Sequence, residues 1–268
     1  MTLTIKTGPL GSKFRRYYEL LYVLVARNLK VRYRGSFLGV YWSLLSPLIM
    51  TGLYTAIFGP TFASYYNNST LNYILAAFTG LIVINFFTAS TTQSLVSVVG
   101  NSSILNKIQL PISIFPISIV SSNVFQLAVG SFPLLAIVTL ITSKSWVNFL
   151  ALVLPLTALV LVCVGVGFIV SSLYVFFRDL PYFYELVCFL LWISSPVFYP
   201  SEIVPHGVRL FLFLNPLLPI IDSIRQISLS GNLPDVMLIV HSCLDSLIIL
   251  AIGTICFRTW RQQFMDLL

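Results

Sequence analysis

The histidine and acidic side chains within the apolar parts of the sequence are the first groups to examine for chemistry. His241 and Asp245 stand four residues apart and so share one face of a helix, whereas Glu185 stands in another apolar stretch. Ionisable groups in such surroundings are costly and often functional, so these three could form a proton relay. A polar contact between helices, or a carboxylate facing an aqueous path, is the simpler interpretation, because a coupled carrier normally needs several such groups on different helices.

Motifs for nucleotide binding or hydrolysis are absent from the sequence. No glycine is followed by lysine, which excludes the phosphate-binding loop GxxxxGK[ST], and neither HExxH nor GxSxG occurs. The four cysteines stand within apolar runs and form no CxxC pair, so we interpret them as packing residues, with a metal-binding or disulfide role as the remote alternative. We therefore expect no covalent chemistry on this chain, and no metal or cofactor bound by it.

Composition narrows the class of protein. Of the 268 residues, 57% are hydrophobic and 9% are charged, against about 25% charged residues in a soluble domain. So few charges could not cover the surface of a soluble fold. This excludes a soluble domain, a disordered chain and a nucleic-acid-binding module, and it predicts an all-α polytopic membrane protein.

Stretches without charged residues predict six membrane-spanning helices. About 20 apolar residues in a helix cross ~30 Å of hydrocarbon, and residues 35–106 contain no charge over a length sufficient for two spans. Pro116 and Pro133 predict kinks in the third span. An apolar segment too short to span, 210–221, predicts a re-entrant segment before the last span. The predicted spans are 37–59, 71–96, 111–141, 147–177, 182–201 and 236–257.

The basic residues predict the orientation. Twelve of the 15 Lys and Arg residues fall on one side of these spans, and only Lys144, Arg209 and Arg225 fall on the other. By the positive-inside rule, both termini are expected in the cytoplasm. We treat residues 1–268 as a single domain with a cytoplasmic amphipathic segment (1–35), a membrane domain (36–257) and a cytoplasmic tail (258–268).

Two segments on the predicted cytoplasmic side have amphipathic patterns. Residues 12–35 combine apolar residues at helical spacing with basic residues, which predicts an amphipathic helix lying along the inner leaflet. It serves either as a basic anchor alone or as a docking surface for a cytoplasmic partner. Residues 100–108 predict a short amphipathic turn, which is either a compact connector or a coupling helix inserted into a motor domain. Composition favours the simpler role for both segments.

Aromatic residues make up 14% of the chain. Sugar rings stack on aromatic faces, so a path lined with aromatic side chains would suit a saccharide. Lipid contact, an interfacial belt and helix packing explain any single residue at least as well. The residues that we assign to such a substrate path are Tyr41, Trp42, Tyr54, Phe58, Phe86, Phe189 and Trp192.

Five motifs in order along the chain resemble those of permease subunits of type-2 ABC exporters for polysaccharides and polyol phosphates. One departure is Tyr41 next to Trp42, where many members of that family have Leu or Ile before the Trp; it leaves the substrate open. The motifs are RYRGSFLGVYWSLLSPLIM (32–50), NKIQLP (106–111), RDLP (178–181), SPVFYP (195–200) and LNPLLPIID (214–222).

The resemblance implies a protein of the cytoplasmic (inner) membrane with six spans, cytoplasmic termini and two short re-entrant helices before the last span. It implies a homodimer with two copies of a separate ABC ATPase, which binds ATP and Mg²⁺. The implied substrate is a lipid-linked glycan of O-antigen, capsule or teichoic-acid type, moved through a channel at the dimer interface. The residues that the resemblance assigns to ATPase coupling are Asn101, Ser102, Ser103, Ile104, Leu105, Asn106, Lys107, Arg178, Asp179, Arg15, Arg16 and Arg27.

Other functions remain open at the level of the sequence. A permease of the same fold could export a small drug or a lipid. In the sequence, only the motifs and the aromatic content distinguish a polysaccharide permease from such a protein. An ion-coupled carrier would use Asp245 and Glu185, with His241 as a further group. An intramembrane enzyme would need paired reactive groups, which are scarce here.

Overall fold

The computed structural model describes residues 11–66, 68–105, 110–200, 203–205, 207, 212, 215–229 and 235–267. These residues form helices and connecting turns without any strand, which confirms the all-α prediction for the described ranges. The helices are α1 Gly11–Arg32, α2 Trp42–Phe62, α3 Thr70–Ser97, α4 Ser102–Leu105, α5 Ile114–Val129, α6 Ser131–Ser143, α7 Trp146–Ala151, α8 Val153–Phe176, α9 Leu180–Ser194, α10 Leu218–Leu229 and α11 Val236–Leu267.

Several helices are long and apolar enough to cross a membrane. Within the described residues there are four such stretches, and the bent pair α5–α6 brings the number to five. The predicted fifth span corresponds to α9, whose 15 residues extend only about 22 Å, less than the hydrocarbon thickness. The count of six spans therefore stays a prediction. The four stretches are Gly39–Tyr65, Thr70–Ser97, Trp146–Phe176 and Val236–Phe264.

The third predicted span is bent at one of its two prolines. Helices α5 and α6 meet at Gly130 with an angle of 46°. Pro133 lies in the first turn of α6, where its ring clashes with a helical carbonyl at Val129 and prevents α5 from continuing. Pro116 lies in the first turn of α5, where a missing N–H breaks no helical bond, so the kink predicted there is wrong.

Helices α3 and α8 form the centre of the bundle, and α2 lies at its edge. In the most apolar part of α3, 72% of the residues are buried within the protomer, against 11% for α2. The central core combines Val83 and Phe87 of α3 with Leu159 of α8 and Ile220 of α10. The exposed apolar side chains of α2 are therefore available to lipid or to another protein surface.

Helix α11 packs along α8 with almost no space between the two backbones. A Cβ atom built on Gly253 would lie 2.2 Å from the carbonyl oxygen of Gly165, and one built on Gly165 would lie 2.7 Å from that of Ile249. Small residues of this kind are what allow close helix contact in membranes. Neither glycine can accept a side chain without separation of the helices.

An arginine fixes the segment that follows α9. Arg225 of α10 donates hydrogen bonds to the carbonyl oxygens of Ala76 (3.2 Å) and Val197 (3.1 Å). Asn215 donates through Nδ2 to Ser195 Oγ at 2.9 Å. These contacts join α10 to α3 and to the end of α9. The predicted re-entrant segment, 210–221, lies partly outside the described residues, and its last residues begin α10.

Candidate functional site

Two segments that the sequence assigned to coupling meet in the structure. The Arg27 guanidinium of α1 donates through Nη2 to Oδ1 of Asn101 at 2.9 Å, across 74 residues of sequence. Nδ2 of Asn101 donates to the carbonyl oxygen of Ser97 at 2.7 Å, which satisfies one of the free carbonyls at the end of α3. A single amide therefore links α1 to the end of α3.

An apolar cluster below this hydrogen bond holds the same segments together. Leu24 of α1 and Leu105 of α4 are each only 6% exposed, and both belong to one buried cluster that also contains residues of α5, α8 and α11. One buried cluster therefore joins α1 and α4 to α8 and α11. We call this set the basal cluster; its buried members are Leu24, Val98, Leu105, Ile112, Ile114, Phe115, Phe168, Val175, Phe257 and Phe264.

Through aromatic contacts, the basal cluster extends to the last turns of α11. Trp260 and Phe264 lie 6.1 and 6.2 Å from Phe176 between ring centroids. Tyr17 of α1 packs against the same cluster, and burial raises the pKa of its phenol above the ordinary value, while a hydrogen bond with Ser113 lowers it by less. The phenol is therefore neutral near pH 7. Residues 258–267, predicted as a tail, continue α11 as helix.

The other residues assigned to coupling lie at exposed or partly exposed positions or outside the described ranges. Arg15 forms an ion pair with Glu19 (Nε to Oε1, 3.0 Å), and Arg16 next to it is exposed. Arg178 lies over the ring of Tyr174, 5.6 Å from its centroid, in the turn between α8 and α9. Asp179 is exposed in that turn, Ser102, Ser103 and Ile104 belong to α4, and Asn106 and Lys107 are not described.

Four of the seven residues assigned to a substrate path form one aromatic cluster. Tyr54 of α2 stacks on Phe198, with 3.6 Å between ring centroids, and is 5.8 Å from Phe58. Trp192 of α9 lies 5.6 Å from Phe198 and 6.5 Å from Phe189. Phe198 is the central ring, and sequence analysis did not single it out although it stands in the SPVFYP motif.

The remaining path residues lie elsewhere. Trp42 and Phe86 line an open cleft of 390 Å³ between α2, α3 and α5, whereas Tyr41 is exposed next to it. The cleft, which we call the polar cleft, also presents the amides of Asn85, Asn123 and Gln126. Its lining contains no acidic and no basic residue.

An arginine lies behind two of these amides. Arg32, in the last turn of α1, donates through Nη1 to Oδ1 of Asn123 at 2.7 Å and also to the side-chain oxygen of Gln126. Its Nη2 donates to the side-chain oxygen of Gln93. Sequence analysis missed the three amides. Their only signal was an amide side chain within an otherwise apolar predicted span, near the end of the second span for Gln93 and in the middle of the third for Asn123 and Gln126.

The ionisable residues considered for proton coupling do not come together. His241 and Glu185 are exposed, and Asp245 is partly exposed on α11. The two ion pairs found among the described side chains involve neither carboxylate. No group of three His, Cys, Asp or Glu residues that could hold a metal ion occurs in that part of the chain. The positions of these three residues therefore give no support to a proton relay.

Comparison with known proteins identifies a matching family and several similar permeases and transport proteins. Residues 19–229 match the family model described as ABC-2 type transporter. The chain is 30% identical over 258 residues to the O-antigen export system permease protein RfbA of Klebsiella pneumoniae, covering 94% of this chain and 95% of that protein. It is 27% identical over 255 residues to the RfbA protein of Myxococcus xanthus (94% and 96%) and 21% over 250 residues to the polysialic acid transport protein KpsM of Escherichia coli (90% and 93%).

Proposed function

Because this chain belongs to the ABC-2 type transporter family, we propose that it is the permease subunit of an ATP-driven exporter of a lipid-linked polysaccharide. The observation that carries the proposal is the end-to-end similarity to a permease named for O-antigen export, which extends over 94% of this chain and 95% of that protein. The cargo is of O-antigen, capsule or teichoic-acid type. It crosses the cytoplasmic (inner) membrane, in which six spans place both termini on the cytoplasmic side.

The permease functions as a homodimer with a channel between its two copies. The exposed apolar faces of α2 and α9 support this arrangement, because a second copy would cover side chains such as Leu53 and Leu186. The aromatic cluster around Tyr54 and Trp192 joins these two helices, so its rings are available for stacking on sugars at that interface. A polymer would thereby cross without contact with lipid.

Energy comes from two copies of a separate ABC ATPase that bind ATP and Mg²⁺. These dock on α1, on α4 and on the turn at Arg178 and Asp179. The contact between Arg27 and Asn101 supports this proposal, because it joins two of the three docking segments into one unit. The basal cluster then connects that unit to α8 and α11, so a two-state movement of the ATPases is transmitted into the bundle.

Deletion of the gene in its own host tests the proposed function. The glycan should disappear from the cell surface and its lipid-linked form should accumulate inside, and a plasmid copy should restore the surface glycan. In proteoliposomes, transport should require the partner ATPase and ATP. Surface glycan that persists in the deletion strain, or uphill transport by the permease alone, would contradict the proposal.

A further inference from the structure

The guanidinium of Arg32 has an unusual set of partners. Its hydrogen bonds go to the side-chain oxygens of Asn123, Gln126 and Gln93, which are neutral amides. No carboxylate lies within ion-pair distance of Arg32 in the described ranges of the chain. Arg is always protonated in proteins, so its positive charge remains uncompensated at this point.

The orientation of the amides follows from that charge. A guanidinium only donates hydrogen bonds, so each amide must turn its oxygen toward Arg32. The NH₂ groups of Asn123 and Gln126 therefore face away from Arg32, and both residues line the polar cleft. The amide dipoles carry the positive potential of the guanidinium toward the cleft.

One of these donors has no acceptor. Asn123 is 3% exposed, and its Nδ2 atom has no hydrogen-bond partner among the described residues. A buried donor without a partner is unfavourable, so such groups are rare unless a ligand or water satisfies them. The position of Asn123 in the wall of the polar cleft indicates that the acceptor enters from there.

The walls of the cleft indicate what kind of molecule carries this acceptor. Donors and positive potential at one end suit an anionic oxygen, and phosphate is one of the anions that Arg recognises through charge-assisted hydrogen bonds. Ile82, Phe86 and Leu127 supply apolar wall surface beside them. A molecule with a phosphate at one end and a hydrocarbon chain at the other matches both parts.

We propose that the polar cleft binds the phosphate headgroup of a lipid, with Asn123 as a direct donor and Arg32 as the residue that orients the amides and supplies the charge. The proposal deepens the function given above and rests on it for one point only, the location of α1 at the inner leaflet. There, the cleft would hold the phosphate end of a lipid or of a lipid-linked substrate at the base of α2, α3 and α5.

Lipid retention by the full-length protein tests the proposal. The protein is placed in phosphatidylcholine nanodiscs with a small fraction of phosphatidic acid, and the phosphatidic acid bound after release is counted by native mass spectrometry. The wild type should retain phosphatidic acid about tenfold above its share of the bilayer. Asn123→Asp keeps an oxygen for Arg32 but replaces the donor with an acceptor, so retention should fall about tenfold.

Two further variants separate binding from folding. Arg32→Gln should also lose about tenfold in retention, whereas Arg34→Gln, which removes the same charge from an exposed position, should stay within about twofold. Unchanged retention by a folded Asn123→Asp protein would overturn the proposal. If an equal concentration of inorganic phosphate displaced phosphatidic acid, the cleft would bind free phosphate, which would contradict the proposal that its occupant is a lipid headgroup. The measurement needs neither ATPase nor glycan, so its result is independent of whether the chain exports a polysaccharide.

Discussion

Gly165 of α8 and Gly253 of α11 place the two helices in backbone contact, with the position of a Cβ on Gly253 only 2.2 Å from the carbonyl oxygen of Gly165. No rearrangement of a flexible side chain could relieve such a contact, because both neighbours are backbone. The α8–α11 pair is therefore a fixed element of the bundle.

Replacement of either glycine should destabilise the protein. Gly253→Val forces the two backbones apart, and we expect a loss of about 3 kcal/mol or more, because overpacking that moves backbone exceeds the usual cost of about 1–3 kcal/mol. The loss is measured as a lower melting temperature of the purified protein in detergent. Gly52→Val is the matched control: Gly52 also lies within a helix, but a Cβ there meets nothing within 4 Å. Equal melting temperatures for Gly253→Val and wild type would contradict the close contact.

The hydrogen bond between Arg27 and Asn101 should matter for coupling. Arg27→Ala and Asn101→Ala should each lower ATP-dependent transport about two- to fivefold, because an exposed charged contact contributes about 0.5–1 kcal/mol. The double variant should lose no more than the stronger single one, since both remove the same bond. Transport by the reconstituted complex is the measurement, and Lys30→Ala, an exposed cation of the same helix, should behave as wild type. Additive losses would show that the two residues act separately.

The basal cluster should make a measurable contribution to stability. Leu24→Ala removes a side chain that is 6% exposed, and we expect a loss of about 2–4 kcal/mol from the cavity and the lost burial. Val23→Ala changes the preceding residue, which is 60% exposed, and should alter stability by less than about 0.5 kcal/mol. Denaturant unfolding, followed by tryptophan fluorescence, compares the two. If both variants unfolded at the same denaturant concentration, Leu24 would not be packed against the rest of the protein as described.

Asp245 should be dispensable for transport. Asp245→Asn removes the carboxylate in the middle of α11, yet it should leave ATP-dependent export within about twofold of wild type, because Asp245 takes part in neither ion pair found among the described side chains and His241 on the same helix is exposed. An ion-coupled carrier predicts the opposite result, the loss of transport. Export measured across a proton gradient with and without an uncoupler provides the complementary test.

The sequence predicted the apolar helices well where their ends are marked by polar residues. The second span, expected at 71–96, is helix Thr70–Ser97, which begins after Ser69, whose Oγ accepts a hydrogen bond from the Asn72 N–H. Helix α9, which corresponds to the predicted fifth span, ends earlier than predicted, at Ser194, because the residue before Pro196 avoids the helical conformation. Hydropathy gave no sign of that early end because the apolar run continues through it.

The sites were predictable only in part. The basic residues of α1 and the polar segment at Asn101 were recognisable one by one, but their contact spans 74 residues and depends on how α1 lies against α3 and α5. The amides around Arg32 stand 61 to 94 residues from it, so no local pattern could connect them. Apolar periodicity predicts elements, whereas polar partners inside a bundle depend on the packing of those elements.

Helix α11 continues without a break for 32 residues, from Val236 to Leu267. At 1.5 Å per residue its length is about 48 Å, well beyond the thickness of the hydrocarbon layer. It contains neither proline nor a change of helix type, so it has no hinge at which a force could be absorbed. A push on the rings of Trp260 and Phe264 would therefore displace α11 as one rigid piece, and α8 would have to move with it because the two backbones touch at Gly165 and Gly253.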